Sequence, residues 1–190
     1  TRLAALGLPV PDWAAVATAA ELAEFLGEHG GVAVLKTPRG GYDGKGVRVI
    51  RSADDAADWF AMGGPLLAEE LVPFRRELAQ SVARRPSGET ALWPLVESIQ
   101  RGGVCAEVIA PAPSSGGREA AVAADIAMAV ADGLEVTGVL AVELFETDDE
   151  RILINELAMR PHNSGHWSIE GSTTSQFEQH LRAVLDLPLG

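Results

Sequence analysis

Val32-Ala-Val-Leu-Lys36, Thr37-Pro-Arg-Gly-Gly-Tyr-Asp-Gly-Lys-Gly46 and Val47-Arg-Val-Ile-Arg51 follow one another without a break, and their reading decides the fold. The first and third pieces are short apolar or alternating runs that read as strands. The piece joining them holds Gly40, Gly41, Gly44 and Gly46 with the cations Arg39 and Lys45, and Lys36 stands just before it. Glycine lets the backbone turn tightly and aim successive N–H groups inward, which makes an anion-binding nest. Lys36, closing an apolar run, is a fixed point charge suited to a phosphate. A strand follows this loop, where a dinucleotide-binding βαβ unit would place a helix. Arg39 and Gly46 stand where a Walker A loop needs its first Gly and its Ser or Thr. A hairpin tip that binds nothing is the bland alternative.

Outward from the loop, short strands and helices alternate with no internal repeat. Thr18-Ala-Ala-Glu21 fits a capping box, opening a helix to about residue 28 with Leu22, Phe25 and Leu26 on one side. Gly30-Gly31 ends it, and residues 2–6 read as the last turns of a helix closed by Gly7. Ser52 starts a further short helix, with Asp54 and Asp55 where the dipole favours them. Strands are expected at 66–69, 77–84, 91–93, 95–100 and 104–110, with a hairpin turn at Pro86-Ser-Gly88. A helix follows at 118–133 with Val122, Ile126, Met128 and Val130 as its core, then paired strands at 136–146 and 151–157, and a closing helix at 173–185. Runs of strands with helices on one side argue an α+β, mostly antiparallel architecture.

The chain has 190 residues, is 47% hydrophobic and carries a net charge of −12. That length and composition suit a globular unit with a sizeable core, and exclude a disordered chain. The acidic balance leaves no basic surplus for a general nucleic-acid binder, although cations focused locally can still hold one anionic ligand. No apolar run approaches the roughly 20 residues of a membrane span. The single Cys105 makes no internal disulfide and reads as a buried thiol in a reducing, cytoplasmic compartment. Trp13, Trp59 and Trp93 read as core or interface aromatics.

Folding the strands at 136–146 and 151–157 about Asp148-Asp149 sets Glu146 opposite Arg151, Glu143 opposite Ile154 and Glu156 opposite Ala141. Glu143 and Glu156 are then diagonal neighbours on one face, roughly 7–8 Å apart at the backbone. Carboxylates placed so in apolar strands call for a cation, and Mg²⁺ takes one or two carboxylates while leaving positions for phosphate oxygens. Pairing with Arg or Lys is the structural alternative. With the glycine loop, the pair points to bound MgATP. Arg160-Pro-His-Asn-Ser-Gly-His166 follows directly, gathering a guanidinium, two imidazoles, an amide and a hydroxyl that can orient a small oxyanion. It lacks zinc-ligand spacing and a nucleophile elbow.

Together, Lys36…Gly-Gly-Tyr-Asp-Gly-Lys-Gly46, Glu69-Glu70, Val-Glu-Leu-Phe145 and Asn-Glu-Leu-Ala-Met-Arg-Pro-His-Asn-Ser-Gly-His-Trp167 resemble the ATP-grasp domain of 5-(carboxyamino)imidazole ribonucleotide synthetases. The resemblance extends over essentially the whole chain, to Thr-Ser-Gln-Phe-Glu-Gln-His180 and Leu-Pro-Leu-Gly190. It implies an ATP-grasp domain over 1–190, with a small β-rich lid-like part at about 31–70 and a larger part at about 71–190. The N-terminal α/β domain and C-terminal segment of such enzymes are expected to lie outside this chain.

The implied reaction is ATP-dependent carboxylation of 5-aminoimidazole ribonucleotide by bicarbonate, through carboxyphosphate, in purine biosynthesis. By that resemblance Lys36, Gly41, Tyr42, Asp43, Gly44, Lys45 and Gly46 hold the phosphates. Glu69, Glu70, Leu71 and Val72 line the adenine, Glu77 takes the ribose hydroxyls, and Asn155 lies beside them. Glu143 and Glu156 hold Mg²⁺, while Tyr42, Asp43, Arg160, His162, Asn163 and Ser164 position bicarbonate and the imidazole nucleotide. A homodimer is also implied. Met159 departs from the family, which commonly has Pro there. The competing functions are another ATP-grasp ligase, of the formate-using transformylase or biotin carboxylase type, and a non-catalytic nucleotide-binding module.

Overall fold

A computed structural model of the chain describes residues 2–38, 46–113 and 117–190. After a short helix α1 (Arg2–Ala5) the chain divides into two compact units. The smaller takes in Pro11–Pro73 and Gly102–Val104; the larger takes in Thr1–Val10, Phe74–Arg101 and Cys105–Gly190. No described helix is long and apolar enough to cross a membrane.

The smaller unit holds β1 (Trp13–Val16), α2 (Ala19–Glu28), β2 (Ala33–Lys36), β3 (Val47–Ile50), α3 (Ala57–Ala61) and β4 (Leu66–Glu70). Its sheet runs β1-β4-β2-β3, each pairing antiparallel. The capping box at α2 is present: Thr18 Oγ1 accepts from the Glu21 N–H, and the Glu21 carboxylate accepts from the Thr18 N–H. Gly31, at φ +78°, donates to the Leu26 carbonyl and closes the helix in a conformation that favours glycine. Strand alternation then sorts β2: Ala33 and Leu35 pack with Leu22, Phe25 and Trp59, while Val34 and Lys36 take the other face. Strand β1 is an addition to the sequence reading, because Trp13-Ala-Ala-Val16 has neither strong alternation nor a bounding turn.

The larger unit holds β5 (Phe74–Arg84), β6 (Thr90–Leu92), β7 (Val96–Arg101), β8 (Val104–Ile109), α4 (Arg118–Gly133), β9 (Gly138–Thr147), β10 (Ile152–Ala158), α5 (Ser168–Gly171) and α6 (Gln176–Val184). Its sheet runs β10-β9-β5-β7-β8, with β6 beside β5. The pairings of β9 with β10 and β5, and of β5 with β6 and β7, are antiparallel. One face packs Leu78, Val82, Leu140, Val142 and Leu144 against α4. The other carries Ala83 and Val139 under Ala183 of α6, so helices cover both faces of this sheet and not one.

Helix α4 turns differently from the expected core. Ile126 and Val130 are buried, but their companions are Ala123, Ala127 and Ala131, while Val122 is exposed and Met128 half-buried. Alanines at every fourth position let the helix lie close on the sheet, and the larger side chains point away. Cys105 is half-buried, with its Sγ 3.5 Å from Ser98 Oγ, and not fully buried. Trp59 is in the smaller core with the Arg48 guanidinium 4.6 Å over its ring, Trp93 packs near Ala83, and Trp13 is exposed.

The heaviest electrostatic commitment is Glu146, fully buried between the guanidiniums of Arg75 and Arg76. Its strand partners are Ile152 and Arg76, whereas Arg151, expected opposite it, pairs with Asp149 in the turn. Burial alone would raise the Glu146 carboxyl, but the two arginines outweigh it and hold the carboxyl below its ordinary value of 4.5. A carboxylate so depressed adds stability above its ordinary value, and that stability is lost as pH falls through the folded value. Replacing Glu146 with Gln should therefore lower unfolding free energy by about 3 kcal/mol at pH 7, measured in urea. The deficit should shrink as the titration is repeated at acid pH.

Candidate functional site

In the smaller unit, the ends of the glycine loop are fixed although Gly41, Tyr42, Asp43, Gly44 and Lys45 lie outside the described residues. The Thr37 N–H donates to the Gly46 carbonyl at 2.9 Å, continuing the β2–β3 ladder one step into the loop. Gly46 sits at φ +78°, the left-handed region that a side chain at this turn would disfavour. Lys36 lies opposite Leu67, so Glu69, two residues on, shares its face. Lys36 Nζ stands 2.6 Å from Glu69 Oε2, and both side chains are largely buried. The sequence reading placed both residues at the nucleotide but not in contact. Glu70 is engaged elsewhere: its carboxylate accepts from the Asp12 N–H at 3.1 Å, and its own N–H donates to the Asp12 carbonyl. Leu71 is exposed and Val72 buried.

In the larger unit the register differs from the one expected. The turn after β9 closes with the Thr147 N–H donating to the Arg151 carbonyl, and this pairs Ile152 with Glu146 and Ile154 with Leu144. A bulge between Ile154 and Glu156 then leaves Asn155 as the extra residue and sets Glu156 directly opposite Glu143. The two carboxylates are cross-strand partners, closer than the diagonal arrangement expected from an unbroken ladder. Desolvation is not what sets their demand for a cation, since Glu156 is exposed and only Glu143 is largely buried. The demand comes from like charges directly opposed, which destabilise a strand pair by about 0.2–1 kcal/mol. That donor pair fits Mg²⁺ shared with phosphate oxygens. Among the described residues no group of three or more His, Cys, Asp or Glu is placed to hold a metal unaided.

Strand β5 extends the same face. Ala79 lies opposite Glu143 and Glu77 opposite Phe145, so Glu77, Glu143 and Glu156 share one side of three adjacent strands. Phe145, between them, stacks on Phe74 with ring centroids 4.5 Å apart. Burial raises the Glu77 carboxyl above its ordinary value of 4.5, and among the described residues none pairs with it. A half-buried acceptor of this kind suits hydroxyl donors better than a second anion.

The polar run leaves β10 and returns toward β9, where His162 meets Glu143. His162 Nε2 lies 3.8 Å from Glu143 Oε1, and His162 Nδ1 lies 2.9 Å from Ser164 Oγ. Ser164 is buried, so its hydroxyl orients the imidazole; Asn163 and Arg160 are exposed, with Arg160 donating to the Pro161 carbonyl. Met159 beside it is exposed as well. The structure thus brings Glu143, Glu156 and His162 together in one unit, and Lys36 with Glu69 in the other.

Comparison with known proteins gives this geometry a context. The ATP-grasp domain family matches residues 1–177. This chain belongs to the ATP-grasp family. An N5-carboxyaminoimidazole ribonucleotide synthase of Mycobacterium bovis is 54% identical over 193 residues, covering all of this chain and 45% of that protein. A crystal structure of an ADP complex of N5-carboxyaminoimidazole ribonucleotide synthetase superposes with a TM-score of 0.91 at 42% identity, over all of this chain and 50% of that one. The Aspergillus clavatus synthase in complex with ADP and 5-aminoimidazole ribonucleotide gives 0.87 at 34% identity, again over all of this chain and 50% of that one. The chain spans about half the length of the relatives it matches.

Two features of this ATP-grasp chain escaped the sequence reading. Phe145 was visible only as part of a motif, and its stack on Phe74 depends on the β5–β9 register. Gln176, buried at the start of α6, bonds the His162 backbone through its side chain; a lone Gln at a helix start carries no signal by itself. The Glu77 geometry makes a direct prediction. Because its carboxyl sits above the ordinary value, folded stability rises as pH falls from neutral through the folded value. Glu77→Gln should therefore raise the melting temperature of the ligand-free protein at pH 7, by a margin that narrows toward pH 4. A melting temperature lower than wild type at pH 7 would contradict the assignment.

Proposed function

We propose that this chain is the nucleotide-gripping part of a cytoplasmic ligase that uses MgATP and bicarbonate to carboxylate 5-aminoimidazole ribonucleotide. The products are 5-(carboxyamino)imidazole ribonucleotide, ADP and phosphate, and the enzyme works as a homodimer in purine biosynthesis. The carrying observation is the Glu143–Glu156 opposition with His162 beside it, in a chain 42% identical to a synthetase solved with ADP. Named relatives of the same activity over the full span of the chain support the substrate choice.

Phosphoryl transfer asks a protein mainly for positioning and charge neutralisation. Magnesium held by Glu143 and Glu156 would neutralise phosphate charge. Lys36, kept in place by Glu69, offers its ammonium to a phosphate oxygen, with the backbone of residues 41–46 completing the nest. Glu77 accepts from the ribose hydroxyls, residues 69–72 supply apolar and backbone surface for the base, and Asn155 sits at the bulge beside the metal carboxylates. A bicarbonate oxygen bonds to the γ-phosphorus while the bond to the bridging oxygen of ADP breaks, giving carboxyphosphate. The exocyclic amine then bonds to the carboxyl carbon, phosphate leaves and the amine loses its proton. Arg160, His162 and Asn163, with Tyr42 and Asp43 of the loop, hold the anion and the imidazole nucleotide, and Ser164 keeps the His162 ring in line.

The test is ATP consumption by the full-length protein, which should require both bicarbonate and 5-aminoimidazole ribonucleotide. Consumption supported by formate, by biotin, or by neither addition would overturn the reading. Glu156→Gln should lower turnover by about 10²-fold, in the range of losing one preorganised electrostatic contact. Lys36→Ala should mainly weaken nucleotide binding, seen by calorimetry with MgADP.

A further inference from the structure

Gln176 stands at the first turn of α6, capped by the Ser175 hydroxyl, and is 1% exposed. Its side-chain Oε1 accepts from the His162 N–H at 2.9 Å, and its Nε2 donates to the His162 carbonyl at 2.8 Å. One amide thus satisfies both backbone groups of one loop residue, as a neighbouring strand would. The Gln176 backbone is fixed in turn: its N–H donates to Ser168 Oγ at 2.9 Å, and that hydroxyl donates to the Gly165 carbonyl at 2.6 Å. Gly165 leaves the space this needs, since a methyl there would stand 2.8 Å from Gln176 Cδ. Gly165 has no positive φ, so its lack of a side chain matters for room and not for backbone conformation. The far side of α6 is the apolar one, with Phe177, Leu181 and Leu185 exposed, so burying Gln176 cannot be put down to a greasy helix face seeking cover.

We infer that Gln176 is a positioning residue for the bicarbonate and imidazole-nucleotide site. It locks the His162 main chain so that the ring, steadied by Ser164, holds its Nε2 beside Glu143. The inference rests on the functional reading above, in which His162 faces the substrates. A displacement of about 1 Å in such a group costs about 10²-fold in rate without a comparable loss of binding elsewhere.

Three variants of the full-length protein test it, each measured for turnover, MgADP affinity, melting temperature and the His162 ring signals in two-bond proton–nitrogen spectra. Gln176→Met keeps shape and removes both hydrogen bonds; kcat should fall about 10²-fold, with MgADP affinity and the KM for ATP within about twofold of wild type. Gln176→Glu keeps the acceptor for the His162 N–H and should recover at least tenfold of that loss. Gly165→Ala keeps Gln176 but displaces its flexible end, and should lower kcat as the Met variant does. In Gln176→Met and Gly165→Ala the His162 ring signals should shift or broaden.

Wild-type kcat in both of those variants would overturn the assignment, as would losses of kcat, MgADP affinity and melting temperature in the same proportion in all three. If Gln176→Met does not fold, Gln176→Glu and Gly165→Ala decide. Should the wild type itself lack bicarbonate-dependent turnover, the functional reading fails separately. The ring signals still decide whether Gln176 positions His162, unchanged signals overturning it.

Discussion

Two glutamates directly opposed across an antiparallel strand pair are an arrangement that a sheet does not favour for its own stability. Here the opposition of Glu143 and Glu156 is built by a bulge: in an unbroken ladder from the Ile154–Leu144 pair, Asn155 would face Glu143 and Glu156 would face Val142. A bulge beside a functional site re-aims a side chain at the expense of one regular pairing. The surrounding sheet bears this expense through a core in which Leu140, Val142 and Leu144 of the same strand are fully buried against α4.

Strand β9 shows two ways of handling a carboxylate. Glu146, on the α4 face, is sealed off and neutralised by Arg75 and Arg76, an arrangement that leaves no capacity for a ligand. Glu143, three residues earlier and on the other face, is met by His162 and by a second carboxylate, an arrangement that gains from added positive charge. Alternation along the strand therefore separates an acid neutralised by arginines from one left facing a second carboxylate. In the smaller unit Lys36 and Glu69 make a similar provision for the opposite sign: a cation held in place at the mouth of a glycine loop.

Much of this was legible in the sequence because it rests on local rules. The capping box at Thr18, the strand–loop–strand about Gly46 and the helix Arg118–Gly133 each depend on residues within a few positions of one another. The expectation of a bound nucleotide rested on residue types: a lysine closing an apolar run, paired acids, and a donor-rich loop after them. What was not legible was set at long range. The turn sets Ile152, not Arg151, opposite Glu146, and the bulge shifts the register by one residue more; neither leaves a mark in the sequence that an unbroken ladder would not also show, so Glu143 was paired with Ile154 instead of Glu156. The same limit hid the two arginines on Glu146, the Lys36–Glu69 contact and the amide of Gln176, since each joins segments that only the fold brings together. In α4, the large apolar residues drew the core expectation to Val122 and Met128, while close packing had selected the alanines.

The proposed chemistry needs a divalent cation at the carboxylate pair of Glu143 and Glu156. Manganese added with ADP, followed by paramagnetic broadening of backbone amide signals, tests this directly. Broadening should appear first at the amides of Glu143, Asn155 and Glu156 and extend to His162, and should vanish in the Glu156→Gln protein. Broadening centred on the Asp148–Glu150 turn or another acidic surface, with residues 143 and 156 unaffected, would contradict it.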